Sequence, residues 1–431
     1  MFSLKEETKT VKVILAACSI LLFAMIMISI FQYGNSTLLG DLNQPNNDDV
    51  KYIRSAWILA QTGNYVYHQP PNPTVFMMPG VAYTLAFFMK IFGEMGGLTA
   101  FRVAQGFVQV LSLLLLFFTA RRLFGSKAAA LAVVLDTVYM PEIWVPNLIL
   151  TETLFKFLVL CLVCFSVWAL SEGRLKLYIA GGVFLGLAAL FRPTIATYPL
   201  LILFMWIIMK VKFKDAVRYT AVVTITFCLL LSPWWIRNYN LFHRFIPLTM
   251  ATGNPMLQGT FINYDQSTMA TDGLDYSYYK SNVMKLSELE RNELEIAVSK
   301  YRLESLFPKQ PLEFIRWYTV GKARLQINEP FYWKQMFLVP PVKEKSYHQA
   351  LLWLAVLGAG VFMFDRRKNV VGYLPIIAAV YFVAVYLPFF TMSRYFFPAM
   401  PYVIMLAAYF CIKAFELVRR KTAEVLAKSS P

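Results

Sequence analysis

Two adjacent carboxylates, Asp48 and Asp49, follow the first long apolar run, in the stretch Asn46-Asn47-Asp48-Asp49-Val50-Lys51-Tyr52. A carboxylate beside hydrocarbon is costly, so its presence there points to a chemical role, either accepting a proton as a general base or holding a hard cation through oxygen. The structural alternative is a solvated pair in the first turn of a loop helix, where anions offset unpaired amides. Further along, Glu152 and Lys156 stand four residues apart, and Arg192, Arg237 and Arg394 each lie at the end of an apolar run. Guanidinium forks bind phosphate through two parallel hydrogen bonds and stabilise it as a leaving group. Carboxylates with arginines therefore suit a reaction on a phosphate-bearing lipid.

The surrounding chain must place these groups at a membrane. Of the 431 residues 58% are hydrophobic and 15% charged, against roughly 25% charged in a soluble domain. A polytopic membrane protein is implied. The net charge of +16 could suggest nucleic acid, but the basic residues cluster in short loops between apolar runs, as membrane orientation requires, so no nucleic-acid partner is expected. The five cysteines all fall in apolar runs, and Cys161 and Cys164, one turn apart, read as packing residues.

Apolar runs near 13–31, 103–120, 128–144, 148–170, 177–191, 195–209, 217–235, 348–364, 370–390 and 396–417 predict ten transmembrane helices. The first reads as an anchor, since no small-residue cleavage site follows it. With the N-terminus inside, the basic groups at Arg121, Arg122 and Lys127, at Arg174 and Lys176, at Lys210 to Arg218, at Arg366 to Lys368 and at Arg419 to Lys421 all fall on the cytoplasmic side. That parity requires Met77 to Phe92, interrupted by Pro79-Gly80 and Lys90, to be a juxtamembrane helix rather than a span. Three regions follow: 1–235, seven spans with a first outer loop at 33–101; 236–346, a small outer helical subdomain; and 347–431, the last spans and a basic tail. Gly182 and Gly186 form a small-residue motif for close helix packing.

This topology gathers Asp48, Asp49, Tyr52, Glu152, Lys156, Arg192, Arg237, Asn238, His243, Arg394 and Tyr395 at the outer membrane edge. Glu142 reads as a solvated loop residue there. Glu152 and Lys156 are either site residues or an ordinary i, i+4 pair. Arg192 either contacts phosphate or ends a span, and Arg237, after the aromatic anchor Pro233-Trp234-Trp235, lies where lipid headgroups lie. The histidines are scattered, which disfavours a histidine-held zinc. A Mg²⁺ or Mn²⁺ on Asp48 and Asp49 is the metal these residue types would accept.

An ordered series of segments carries a resemblance over nearly the whole chain. The carboxylate pair with Tyr52, "ARRLFG" from Ala120, "LTETLF" from Leu150, "FRPT" from Phe191, "PWWIRNYNLFHRFIPL" from Pro233 and "SRYFFPAMPYVIMLAA" from Ser393 resemble membrane glycosyltransferases of the GT-C fold. Within them the chain is most similar to the bacterial family 39 branch of protein mannosyltransferase-like and aminoarabinose-transferase-like enzymes. The resemblance implies an all-α GT-C fold of about ten transmembrane helices, with juxtamembrane helices in the first outer loop. It implies an active site on the extracytoplasmic face of the bacterial cytoplasmic membrane, among membrane lipids. A polyprenyl-phosphate sugar would be the donor, and an envelope lipid, glycan or protein the acceptor. The expected chemistry is inverting, with Asp48 or Asp49 as base, Glu152 in the site, and Arg237, Arg192 and Arg394 on phosphate. The short insertion lacks the β-rich repeats of eukaryotic protein mannosyltransferases, which weighs against a protein acceptor. The rival reading is a lipid-linked sugar flippase or transporter, which would need a polar path to the midplane.

Overall fold

The computed structural model describes residues 2–44, 46–365 and 369–429, so the basic group Arg366 to Lys368 lies outside the described residues. Among the described residues the chain forms helices and no strand. In order they are α1 (Lys9–Tyr33), α2 (Asp48–Thr62), α3 (Gly80–Phe124), α4 (Ser126–Thr137), α5 (Met140–Trp144), α6 (Glu152–Glu172), α7 (Leu175–Ala189), α8 (Pro199–Ile208) and α9 (Phe213–Phe242). There follow α10 (Gly253–Gly259), α11 (Ser277–Asn282), α12 (Glu288–Leu306), α13 (Pro311–Arg316), α14 (Lys322–Ile327), α15 (Pro341–Phe364), α16 (Leu374–Ala384) and α17 (Met400–Ser429).

Among the described residues six helical segments are long and apolar enough to cross a membrane, and a seventh arises if α4 and α5, bent by 64°, count as one broken span. The remaining three expected spans correspond to shorter apolar helices, Leu175–Ala189, Pro193–Ile208 and Val370–Ala384. Each of the ten expected segments is therefore helical, but three fall short of a full crossing by length. The apolar stretch of α6 is 83% buried and that of α9 only 11%, so α6 is a central strut while α9 turns Ile225 and Leu229 outward. Gly182 and Gly186 let α7 lie against α9, since a Cβ at either would press on Thr226 or Leu230. Cys161 and Cys164 are free and buried.

α3 breaks at Gly93, whose φ of 73° and ψ of 175° belong to a region open essentially to glycine. Beyond the break the chain folds back sharply: a Cβ on Gly97 would lie 2.6 Å from the Met89 backbone, whereas eight residues along a straight helix span about 12 Å. Met77 to Phe92 is thus separated from the long limb that follows.

The helices between α9 and α15 pack against the segment that follows α2. α12 begins with a capping box between Ser287 and Glu290, and Glu288 in its first turn reaches the segment between α2 and α3, accepting from Thr74 Oγ1 at 2.8 Å and meeting His68 Nδ1 at 3.0 Å. α10 packs on α12. The region between α9 and α15 therefore rests on the loop that holds Asp48.

Candidate active site

α2 starts at Asp48 because Asn47 caps it, its side-chain oxygen accepting from the Asp48 amide at 2.7 Å. The two carboxylates then part company, as neighbours about 100° apart on a helix must. Asp49 is fully buried and accepts from the amides of Leu39, Gly40 and Val50, tying the preceding loop to the helix. Asp48 instead lines a cavity of about 390 Å³. Its Oδ2 pairs with Arg394 Nη2 at 2.7 Å and its Oδ1 accepts from the Tyr67 hydroxyl at 3.0 Å. Burial by itself would raise the Asp48 carboxyl. The Arg394 guanidinium, helped by Tyr67 and Lys51, more than offsets this and holds it below the usual carboxylate range.

The opposite carboxylate is Glu152, at the start of α6 and 1% exposed at its side chain. Its Oε1 pairs with Arg192 Nη2 and lies 3.7 Å from Arg394 Nε. Arg394 thus bridges Asp48 and Glu152, while its Nε–H, buried, has no hydrogen-bond partner. Arg192 precedes Pro193, and a residue before proline is pushed to extended backbone; its φ of −142° and ψ of 123° turn the chain out of α7. Its Nε donates to Thr151 Oγ1 at 2.7 Å and its Nη1 to the Tyr386 hydroxyl at 3.3 Å. Tyr386 stacks on Tyr395 with centroids 4.6 Å apart, and the Arg192 guanidinium lies 5.1 Å from the Tyr395 ring centroid. Tyr52 lines the same cavity, its ring meeting Tyr67 edge-on.

Of the residues singled out from the sequence, Asp48, Tyr52, Glu152, Arg192, Arg394 and Tyr395 converge on this cavity. The others do not. Asp49 is directed to loop amides. Lys156 forms no pair with Glu152: it is buried against Glu142, over the Phe397 ring, and Glu142 is fully buried rather than solvated. Arg237 donates to the carbonyls of Thr74 and Tyr65 and to Asn238 Oδ1, with Trp234 beneath it, so its fork is occupied by the segment between α2 and α3. Asn238 is buried and donates to the Ile246 carbonyl. His243 ends α9 in left-handed conformation, exposed, with φ of 50°. Sequence reasoning missed Tyr67 and Tyr386, two of 24 tyrosines, whose roles depend on contacts made across 19 and 194 residues of chain.

As ligands for Mg²⁺ or Mn²⁺ these groups fit poorly. Asp48 and Asp49 do not share a direction, both Asp48 oxygens are engaged, and a cation between Asp48 and Glu152 would meet the guanidinium that already neutralises them. Among the described residues no group of three or more His, Cys, Asp or Glu could hold a metal.

The first solved structure to compare is the apo oligosaccharyltransferase of Archaeoglobus fulgidus, which superposes with a TM-score of 0.58 at 14% identity over 100% of this chain and 53% of its own. The chain has the GT-C fold of membrane glycosyltransferases. A second structure with this GT-C fold, the archaeal oligosaccharyltransferase AglB from the same organism in complex with an inhibitory peptide and a dolichol-phosphate, gives 0.55 at 14% identity, covering 98% of this chain and 52% of that one. ArnT from Cupriavidus metallidurans bound to undecaprenyl phosphate gives 0.44 at 13% identity, over 94% and 78%. The chain thus spans about half the length of the oligosaccharyltransferases it matches. Residues 71–236 match the family described as dolichyl-phosphate-mannose-protein mannosyltransferase. No curated protein matches the sequence.

Proposed function

We propose that the chain is a membrane glycosyltransferase that moves a sugar from a polyprenyl-phosphate donor to an acceptor hydroxyl at the extracytoplasmic face. The observation that carries this reading is the meeting, in one cavity, of the half-buried carboxylate Asp48 with the two guanidinium groups of Arg192 and Arg394. The dolichol-phosphate bound by AglB and the lipid-linked sugar named in the matching family support a phosphate-linked lipid donor. The likeness rests on the fold, and the residues supply the chemistry.

Arg192 and Arg394 bind the donor phosphate. Arg394 then shifts from Asp48 to phosphate oxygen, and Asp48 is released to accept the proton of the acceptor hydroxyl. That oxygen attacks the anomeric carbon as the carbon–oxygen bond to phosphate breaks, so the configuration inverts. The phosphate leaves with the bonding electrons, stabilised by both guanidiniums. Glu152 keeps the arginines charged and in place. The prenyl chain runs between helices, and an apolar cavity of about 490 Å³ lined by Leu185, Leu203, Trp206 and Phe227 supports that course.

The test is Asp48→Asn, which keeps the shape and removes the base. Turnover should fall about 10² to 10⁴-fold, while binding of undecaprenyl phosphate persists. Near-normal transfer by this variant would end the mechanism. Chelation should leave turnover unchanged; a loss restored by Mg²⁺ or Mn²⁺ would return a cation to the site. Wild-type protein that moves a lipid-linked sugar across vesicles without transferring it would establish the flippase instead.

A further inference from the structure

Both arginines and both carboxylates line the cavity, and another part of its lining is neutral. It is built by α10 and the residues before it, with Thr249, Thr252, Asn254 and Gln258 facing the space. The amides of that part are held in a fixed sense by a buried anion. Glu295 of α12, 2% exposed at its side chain, accepts at Oε1 from Arg291 Nε at 3.1 Å and from Asn254 Nδ2 at 3.2 Å. A carboxylate paired with an arginine can only accept, so Asn254 must present its NH₂ to Glu295 and its Oδ1 away from it. Gln258 Nε2 donates to that Oδ1 at 2.7 Å. This leaves Oε1 of Gln258, a residue that lines the cavity, as a hydrogen-bond acceptor, and the whole chain of amides is polarised from Glu295 outward. Backbone contacts lock the base of this relay, the Gly253 amide donating to Asn292 Oδ1 at 2.8 Å.

We infer that Gln258 is a sugar-recognition residue, whose Oε1 accepts from a ring hydroxyl of the saccharide in the cavity, and that Asn254 and Glu295 are positioning residues that fix its polarity. The inference rests on the transferase reading above. A neutral amide in a cavity that also holds two guanidiniums distinguishes the two ends of one ligand: phosphate to the guanidiniums, hydroxyls to the amide. A phosphate would gain nothing from Gln258 Oε1, because two acceptors face each other without a proton between them.

The experiment measures binding of undecaprenyl phosphate and of undecaprenyl-phosphate-linked hexose and pentose to the full chain in detergent, and acceptor KM in the transfer assay. Gln258→Leu should weaken sugar-lipid binding about 2- to 10-fold, the scale of one neutral hydrogen bond, and leave bare undecaprenyl phosphate binding as in wild type, which also reports that the variant is folded. Glu295→Gln should reproduce the loss in part, because a glutamine can offer either end to Asn254 and so frees the amide chain to reverse. A change confined to acceptor KM would show that Gln258 does not read the sugar of the phosphate-linked lipid and would overturn the inference. Equal effects on bare and sugar-linked lipid, or none on either lipid or on acceptor KM, would overturn the inference. Failure of wild type to bind undecaprenyl phosphate would instead remove the transferase reading, and this assignment with it.

Discussion

At the level of single side chains, the Arg394 bridge makes a prediction about pH. The folded Asp48 carboxyl lies below its ordinary range, so the acid limb of kcat/KM should lie below that of a free aspartate. Arg394→Gln removes the offset and leaves burial, which raises the carboxyl, so any residual transfer should lose activity at higher pH than wild type. An acid limb that does not move would detach Arg394 from the base. The same pair sets a stability window: because the folded value is depressed, its contribution is present above the unfolded carboxylate range near pH 4 and is lost as pH falls through the folded value. Asp49→Asn should act on stability instead, since it weakens the acceptor for three amides; unfolding should cost about 1–3 kcal/mol less, seen as a lower Tm. Polar residues stranded beside apolar runs are the legible part of the cavity lining, which is why Asp48, Glu152, Arg192 and Arg394, which meet there, stand out in the sequence. Lys156 could not be paired correctly, because the i, i+4 rule sees only its own helix while Glu142 approaches from α5.

At the level of elements, the aromatic segment before Arg237 holds the guanidinium against loop carbonyls instead of turning it into the cavity. Trp234 and Trp235 bond the carbonyls of Leu248 and Pro247, and the guanidinium beside them is drawn to the carbonyls of Thr74 and Tyr65. Backbone acceptors brought in by tertiary contact cannot be read from local sequence. Arg237→Ala should therefore lower thermal stability by about 1–3 kcal/mol, the cost of orphaned carbonyls, with the KM for donor unchanged; a raised KM with unchanged Tm would restore it to the phosphate site. Hydropathy located each apolar helix but could not show that α4 and α5 meet at 64° or that α3 reverses at Gly93. Gly93→Ala must force a side chain into a glycine-only conformation, at about 1–3 kcal/mol. Its effect should be seen as a lower Tm, and a Tm equal to wild type would contradict the sharp reversal.

Across the whole molecule, the proposed extracytoplasmic opening of the cavity makes a prediction that turns on charge parity and on the reversal at Gly93. Single cysteines at Asn72 and Met95, both exposed, should react with an impermeant thiol reagent from the same, outer side in a background without the native cysteines. Labelling of the two from opposite sides would make Met77 to Phe92 a crossing and move the basic loops out of register. The ion pair that joins Asp48 to Arg394 links residues 346 positions apart. During synthesis α2, with Asp48 at its start, is made long before Arg394 is translated. In the mechanism proposed above, a chain short of Arg394 has Arg192 alone to meet phosphate, so it should not consume lipid-linked sugar until the turn before α17 is complete.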